Sequence, residues 1–183
     1  MTLLQDQTPP ISHVSDEERA ARLAEAGAAW NERIAADQRA AQLTYKVTGR
    51  GIGSVGTEVR AGRHRFLVDE PGALAGDDAA ASPVEYALGA LVSCQVVVFR
   101  LYAQALGLTI DEIEITAEGD LDVRKLFGID ESGRAGFQDV RVKVDITGPD
   151  SAEQYEHLRQ VVDAHCPVLD LFANPVPTSG ALL

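Results

Sequence analysis

An α+β architecture, with antiparallel strands gathered about one long buried helix, is predicted by three features of this 183-residue sequence. Between Val84 and Leu106 only Glu85 and Arg100 are charged. Apolar residues cover every face of the helix that this run would form, so the helix must be enclosed on all sides. Ile113, Ile115 and Ala117 alternate with Glu112, Glu114 and Thr116, and Val140, Val142, Val144 and Ile146 alternate with Arg141, Lys143 and Asp145. Period-two alternation marks strands with one face in a core and one in water. Upstream, short alternating runs between residues 44 and 68 are separated by glycines, the pattern of antiparallel strands joined by turns.

Residues 1–14 contain Pro9-Pro10 and read as a mobile arm. Ser15-Asp-Glu-Glu18 has the spacing of a capping box, in which Ser15 accepts from the Glu18 amide and Glu18 reaches back. It opens an amphipathic helix expected to run to about Ala41, with Leu23, Trp30 and Ile34 near one face. Three strands are expected from Tyr45-Lys-Val47, Ser54–Arg60 and Arg63–Val68, followed by a small-residue loop over 71–82. Pro83 suits the first turn of the long helix with Ser82 as cap, and Gly107 closes it. After the two alternating strands, Ser151-Ala-Glu-Gln154 is a second capping box. It opens a helix with Tyr155, Leu158, Val161 and Val162 on one face. His165-Cys166-Pro167 interrupts that helix, and Val168–Ala173 adds another turn or two. Two segments are expected: an arm and helix over 1–43, and one domain over 44–183.

Composition bounds the function. Sixteen Lys and Arg against 28 Asp and Glu leave a net charge of −12, which argues against a nucleic acid or an anionic membrane, both of which require clustered basic residues. No apolar run of about 18 residues and no secretory signal are read, so no membrane partner is expected and the chain is placed in the cytoplasm. A helix enclosed all round is more than so small a domain surrounds alone, which favours an oligomer.

The chain has two cysteines, Cys94 inside the long helix and Cys166 at a helix boundary. Burial disfavours a thiolate, so Cys94 needs a permanent cation, best an arginine, before it can attack anything. Cys166 precedes a proline and stands where new helical amides would favour a thiolate. A peroxidatic thiolate that becomes a sulfenic acid needs a second thiol to condense with it. No cofactor is implied. Metal binding through Cys94, His165 and Cys166 lacks the paired spacing of zinc sites.

The segment Ser82-Pro-Val-Glu-Tyr to Cys94, followed by His165-Cys-Pro-Val168, resembles the OsmC/Ohr family of thiol-dependent peroxidases. The likeness runs from about Thr44 to Pro177, and Pro83 stands 11 residues before Cys94. The resemblance implies the OsmC-like fold, an intertwined homodimer and active sites at the subunit interface. It implies that Cys94 attacks an organic hydroperoxide and Cys166 resolves it to a disulfide, and that a dithiol or low-molecular-weight thiol resets the pair. It also implies an arginine that activates Cys94, with Arg50 the best-placed candidate and Arg60 and Arg63 its rivals. Glu85 is the carboxylate that would orient the arginine. In the hydroperoxide-reductase pattern that glutamate directly follows the proline. Here Val84 stands there, and Glu85 lies about 100° further round the helix. A non-catalytic dimer holding a small apolar or thiol-bearing ligand at its interface is the alternative.

Overall fold

The computed structural model describes residues 11–182. Pro9-Pro10 lies outside them, and residues 11–14 carry no regular secondary structure. The chain divides into two compact units, one ending at Pro83 and the other beginning at Val84.

The first unit holds α1 (Asp16–Ala36), a 3-10 turn (Gln38–Ala41) and a three-stranded antiparallel sheet in the order β1 (Val47–Ile52), β2 (Gly56–Ala61), β3 (His64–Val68). At the start of α1, the Ser15 hydroxyl accepts from the Glu18 amide at 3.1 Å. The reciprocal half of the expected box gives way to an ion pair between Glu18 and Arg22, one turn on. The helix stops at Ala36 rather than about Ala41. Asp37 leaves helical geometry, and its carboxylate accepts from the Arg39 amide to start the 3-10 turn.

Trp30 and Ile34 share the predicted stripe, yet α1 buries no residue. The Trp30 ring is covered by the Arg33 guanidinium, 4.8 Å from its centroid. In the sheet, Gly53 and Gly62 have φ of 58° and 59° at the two turns, a conformation that β-carbons disfavour. Among the described residues this unit buries no hydrophobic side chain. Its buried groups are Asp69 and Ser82.

The second unit contains α2 (Pro83–Leu106), a hairpin of β4 (Glu112–Asp120) and β5 (Asp139–Thr147), α3 (Ala152–His165) and α4 (Pro167–Ala173). The register pairs Ile113 with Ile146, Ile115 with Val144 and Ala117 with Val142, so the alternating apolar residues share one face. That face packs with Val98, Phe99 and Ala103 of α2 and with Leu158 and Val162 of α3. At Ser151 both halves of the predicted capping box form. Tyr155 fastens α3 to the loop between α2 and β4, donating from its hydroxyl to the Thr109 carbonyl at 2.6 Å. Gly119 is required by packing, because a β-carbon there would stand 2.6 Å from the Phe137 ring.

The long helix departs from expectation in one respect. Within this chain it is buried on one face, at Leu91, Gln95, Val98, Phe99 and Ala103, and not all round. Val97 and Leu101 are exposed on the opposite face. The helix also has 24 residues with a mean hydropathy of 1.5 over its most apolar 18-residue window. By length and composition it is therefore long enough to cross a membrane, contrary to the reading that no such run exists. The fold uses it as the central core helix.

Candidate active site

The helical period of α2 sets the site. Cys94 lies one turn before Val98, and its side chain packs at the margin of the cluster that contains Phe99, Val162 and Cys166. Cys94 is half-buried, whereas Cys166 is 2% exposed. This reverses the ranking read from sequence, in which Cys94 was the deep thiol. The apolar run around Cys94 belongs to a helix with one open face, and Cys166 is covered by the packing of α2 and α3.

Cys166 is at once the C-terminal cap of α3 and the N-terminal cap of α4. Its amide donates to the Val162 carbonyl at 2.9 Å, and its backbone is extended at φ −80°, ψ 110°. Pro167 explains the break. A proline at the first helical position needs no amide partner, and it pushes the preceding residue out of helical geometry. The Cys166 sulfur consequently faces the first turn of α4 and accepts weakly from the Leu169 amide at 3.5 Å.

The two thiols meet. Burial pushes the Cys166 thiol up most strongly. Amide donation from Leu169 and Val168 works the other way, and a hydrogen bond with Cys94 and any charge on Cys94 push it further up. Desolvation therefore prevails over the amides that the sequence suggested would favour a thiolate. Cys166 is held as a thiol beside Cys94. Nearby, the His165 ring lies 4.7 Å from Tyr102, and its Nδ1 is 2.7 Å from the Val161 carbonyl oxygen.

Arg50 and Glu85, the other two residues picked out by sequence, belong to different units. Arg50 on β1 is paired with Glu58 of β2 at 3.0 Å, and Arg65 of β3 reaches the same carboxylate at 3.7 Å. Glu85 sits in the first turn of α2. Arg60 donates from Nε to the Gly62 carbonyl at 3.2 Å.

Two further polar residues are buried. Gln95, next to Cys94, is buried, and its Oε1 has no hydrogen-bond partner among the described residues. A polar side chain next to Cys94 in a largely apolar helix was its sequence signal. Asp69 organises the loop before α2. Its carboxylate accepts from the amides of Asp77 and Ala79 at 3.0 and 3.1 Å, and these donors hold it below the usual carboxylate range. Gly76 completes the loop, since a β-carbon there would collide with the Glu70 carbonyl.

Residues 76–179 match the family model described as OsmC-like protein. Solved structures with the same fold include an OsmC-like protein from Mycoplasma pneumoniae, 16% identical, with a TM-score of 0.64 over 72% of this chain and 89% of that one. Another is an organic hydroperoxide resistance protein OsmC from Legionella pneumophila, 20% identical, TM-score 0.56, covering 72% and 90%. The organic hydroperoxide resistance protein OhrB of Bacillus subtilis is 22% identical, with a TM-score of 0.51 over 70% and 90%. No curated protein sequence matches the chain.

Proposed function

Because the chain belongs to the OsmC-like family, we propose that it is a thiol-dependent peroxidase that reduces an organic hydroperoxide at Cys94 and closes a Cys94–Cys166 disulfide. The observation that carries this reading is that Cys94, half-buried, packs against the apolar cluster that encloses Cys166. Cys94, as thiolate, attacks the terminal peroxide oxygen. The O–O bond breaks, the alkoxide takes a proton and leaves as the alcohol, and Cys94 becomes a sulfenic acid. Cys166 then attacks that sulfur, its proton leaves with the hydroxyl as water, and the disulfide forms. Two thiols are thus oxidised while one hydroperoxide is reduced to alcohol and water. A dithiol or low-molecular-weight thiol returns the pair. Keeping Cys166 protonated until that moment spares it from direct oxidation, since only the thiolate is strongly nucleophilic. Arg50 is assigned as the activating cation and Glu85 as its orienting carboxylate.

The active unit in this reading is a homodimer. Three strands with no buried hydrophobic residue of their own do not repay the ordering of their backbone, and α2 leaves Val97 and Leu101 in solvent. A second copy covers both.

One equivalent of cumene hydroperoxide added to the reduced protein tests the chemistry. A Cys94–Cys166 disulfide found by peptide mass spectrometry is expected, with peroxide consumption lost in Cys94→Ser. Two free thiols after excess peroxide would overturn it. Equal consumption by wild type and Cys94→Ser would instead favour a binding protein.

A further inference from the structure

Residues 44–68 carry five basic side chains and one acidic one, a net +4. The rest of the chain carries eleven against twenty-seven, a net −16. The β1–β2–β3 sheet is therefore a basic island in an acidic protein. Register concentrates the charge further. Thr48, Arg60 and Arg65 stand in one row across the strands, and Arg50 and Glu58 in the next. With a side-chain period of two, all five project from one face. They line a groove of about 180 Å³ together with Gly49.

The guanidiniums of Arg50 and Arg65 already converge on one carboxylate, that of Glu58. Arg60 makes no ion pair among the described residues. Its Nε is used by the Gly62 carbonyl, which fixes the guanidinium and leaves its two terminal nitrogens. Three guanidinium charges less one carboxylate leave +2. Like charges this close on adjacent strands repel one another, a cost that a bound anion removes. The geometry points to a phosphoryl-binding site at Arg50, Arg60 and Arg65, taking a phosphate or phosphomonoester dianion. A phosphoryl group carries about −1.5 to −2 near pH 7 and presents oxygens that guanidinium forks engage two at a time, so charge and shape both fit better than a monoanionic carboxylate. Arg50 is shared with the proposed thiol chemistry, Arg60 and Arg65 are not, and binding is measurable in Cys94→Ser.

Titration of the full-length protein with inorganic phosphate at low ionic strength, followed by calorimetry and by phosphorus NMR, tests the assignment. Saturable binding is expected, weakened at least about tenfold in Arg60→Gln and in Arg65→Gln. Arg65→Lys, which keeps the charge and the fold but loses the fork, is expected to bind more weakly than wild type. Glu58→Gln is expected to bind more tightly, a change of sign that loss of structure would not produce. Phenyl phosphate binding more tightly than phosphate identifies an esterified ligand, and equal binding identifies free phosphate. The proposal is overturned by no saturation or by acetate binding as well as phosphate. Equal weakening in Arg141→Gln, a basic residue on the other sheet, would also overturn it.

Discussion

Cys166 sits under two opposed influences. Its place as the cap of α4 offers two amide donors to the sulfur, and its enclosure by α2 and α3 removes the water that a thiolate needs. Desolvation is the larger effect, and a thiol with one 3.5 Å amide contact does not recover it. Two expectations follow. Iodoacetamide labels Cys94 first near neutral pH, and Cys166 labels appreciably only above the ordinary thiol range near 8.5, which mass spectrometry after a timed quench reads directly. In Cys94→Ser the Cys166 labelling profile moves to lower pH but stays above that of a free thiol, because burial remains when the neighbour's charge is gone. The sign for stability is the same. A thiol whose folded pKa is raised stabilises the fold fully below its unfolded pKa and loses that contribution as pH rises through the folded value.

Asp69 has the opposite sign. Its carboxylate is held low by the Ala79, Glu70 and Asp77 amides, so its contribution is present above the unfolded value near 3.9 and is lost as pH falls below it. Asp69→Asn is expected to lower the urea midpoint clearly at pH 6 and much less at pH 3. An equal deficit at both pH values would remove the charge from the explanation.

Among the elements, α3 fastens the second unit. Leu158 and Val162 are fully buried against α2 and the hairpin, and Tyr155 ties the helix to the Thr109 carbonyl. Leu158→Ala is expected to cost about 2–5 kcal/mol, measured by urea unfolding, since the cavity lies among side chains held from three elements. Gly119→Ala acts differently. It adds a methyl where the Phe137 ring already lies, and the ring, tilted against Phe172 at 6.2 Å, must move. The expected cost is about 1–3 kcal/mol, with altered near-ultraviolet ellipticity.

At the scale of the whole molecule, hydrophobic burial is concentrated in the second unit. The exposed face of α2 and the coreless sheet both call for a second copy in the proposed assembly. Sedimentation equilibrium is expected to give a dimer for the wild type and a shift toward monomer for Val97→Asp with Leu101→Asp. Both residues face solvent in the single chain, so a retained dimer would show that the interface lies elsewhere.

Local patterns along the chain account for the elements and their order. Period-two alternation, capping residues and prolines act over a few positions, and they marked β5, the start of β4, the start of α3 and the break at Pro167 within a residue or two, while β4 runs on three residues past Ala117 to Asp120. Family membership was legible for a related reason, since the spacing from Pro83 to Cys94 and the Cys166-Pro167 pair are local. Three features lie outside those patterns: which thiol is enclosed, the burial of one face of α2 and not all of them, and the meeting of the Arg50 guanidinium with Glu58. Each of these depends on what another segment contributes across the fold. Burial and charge pairing are properties of neighbours in space, and a chain read along its length does not contain them.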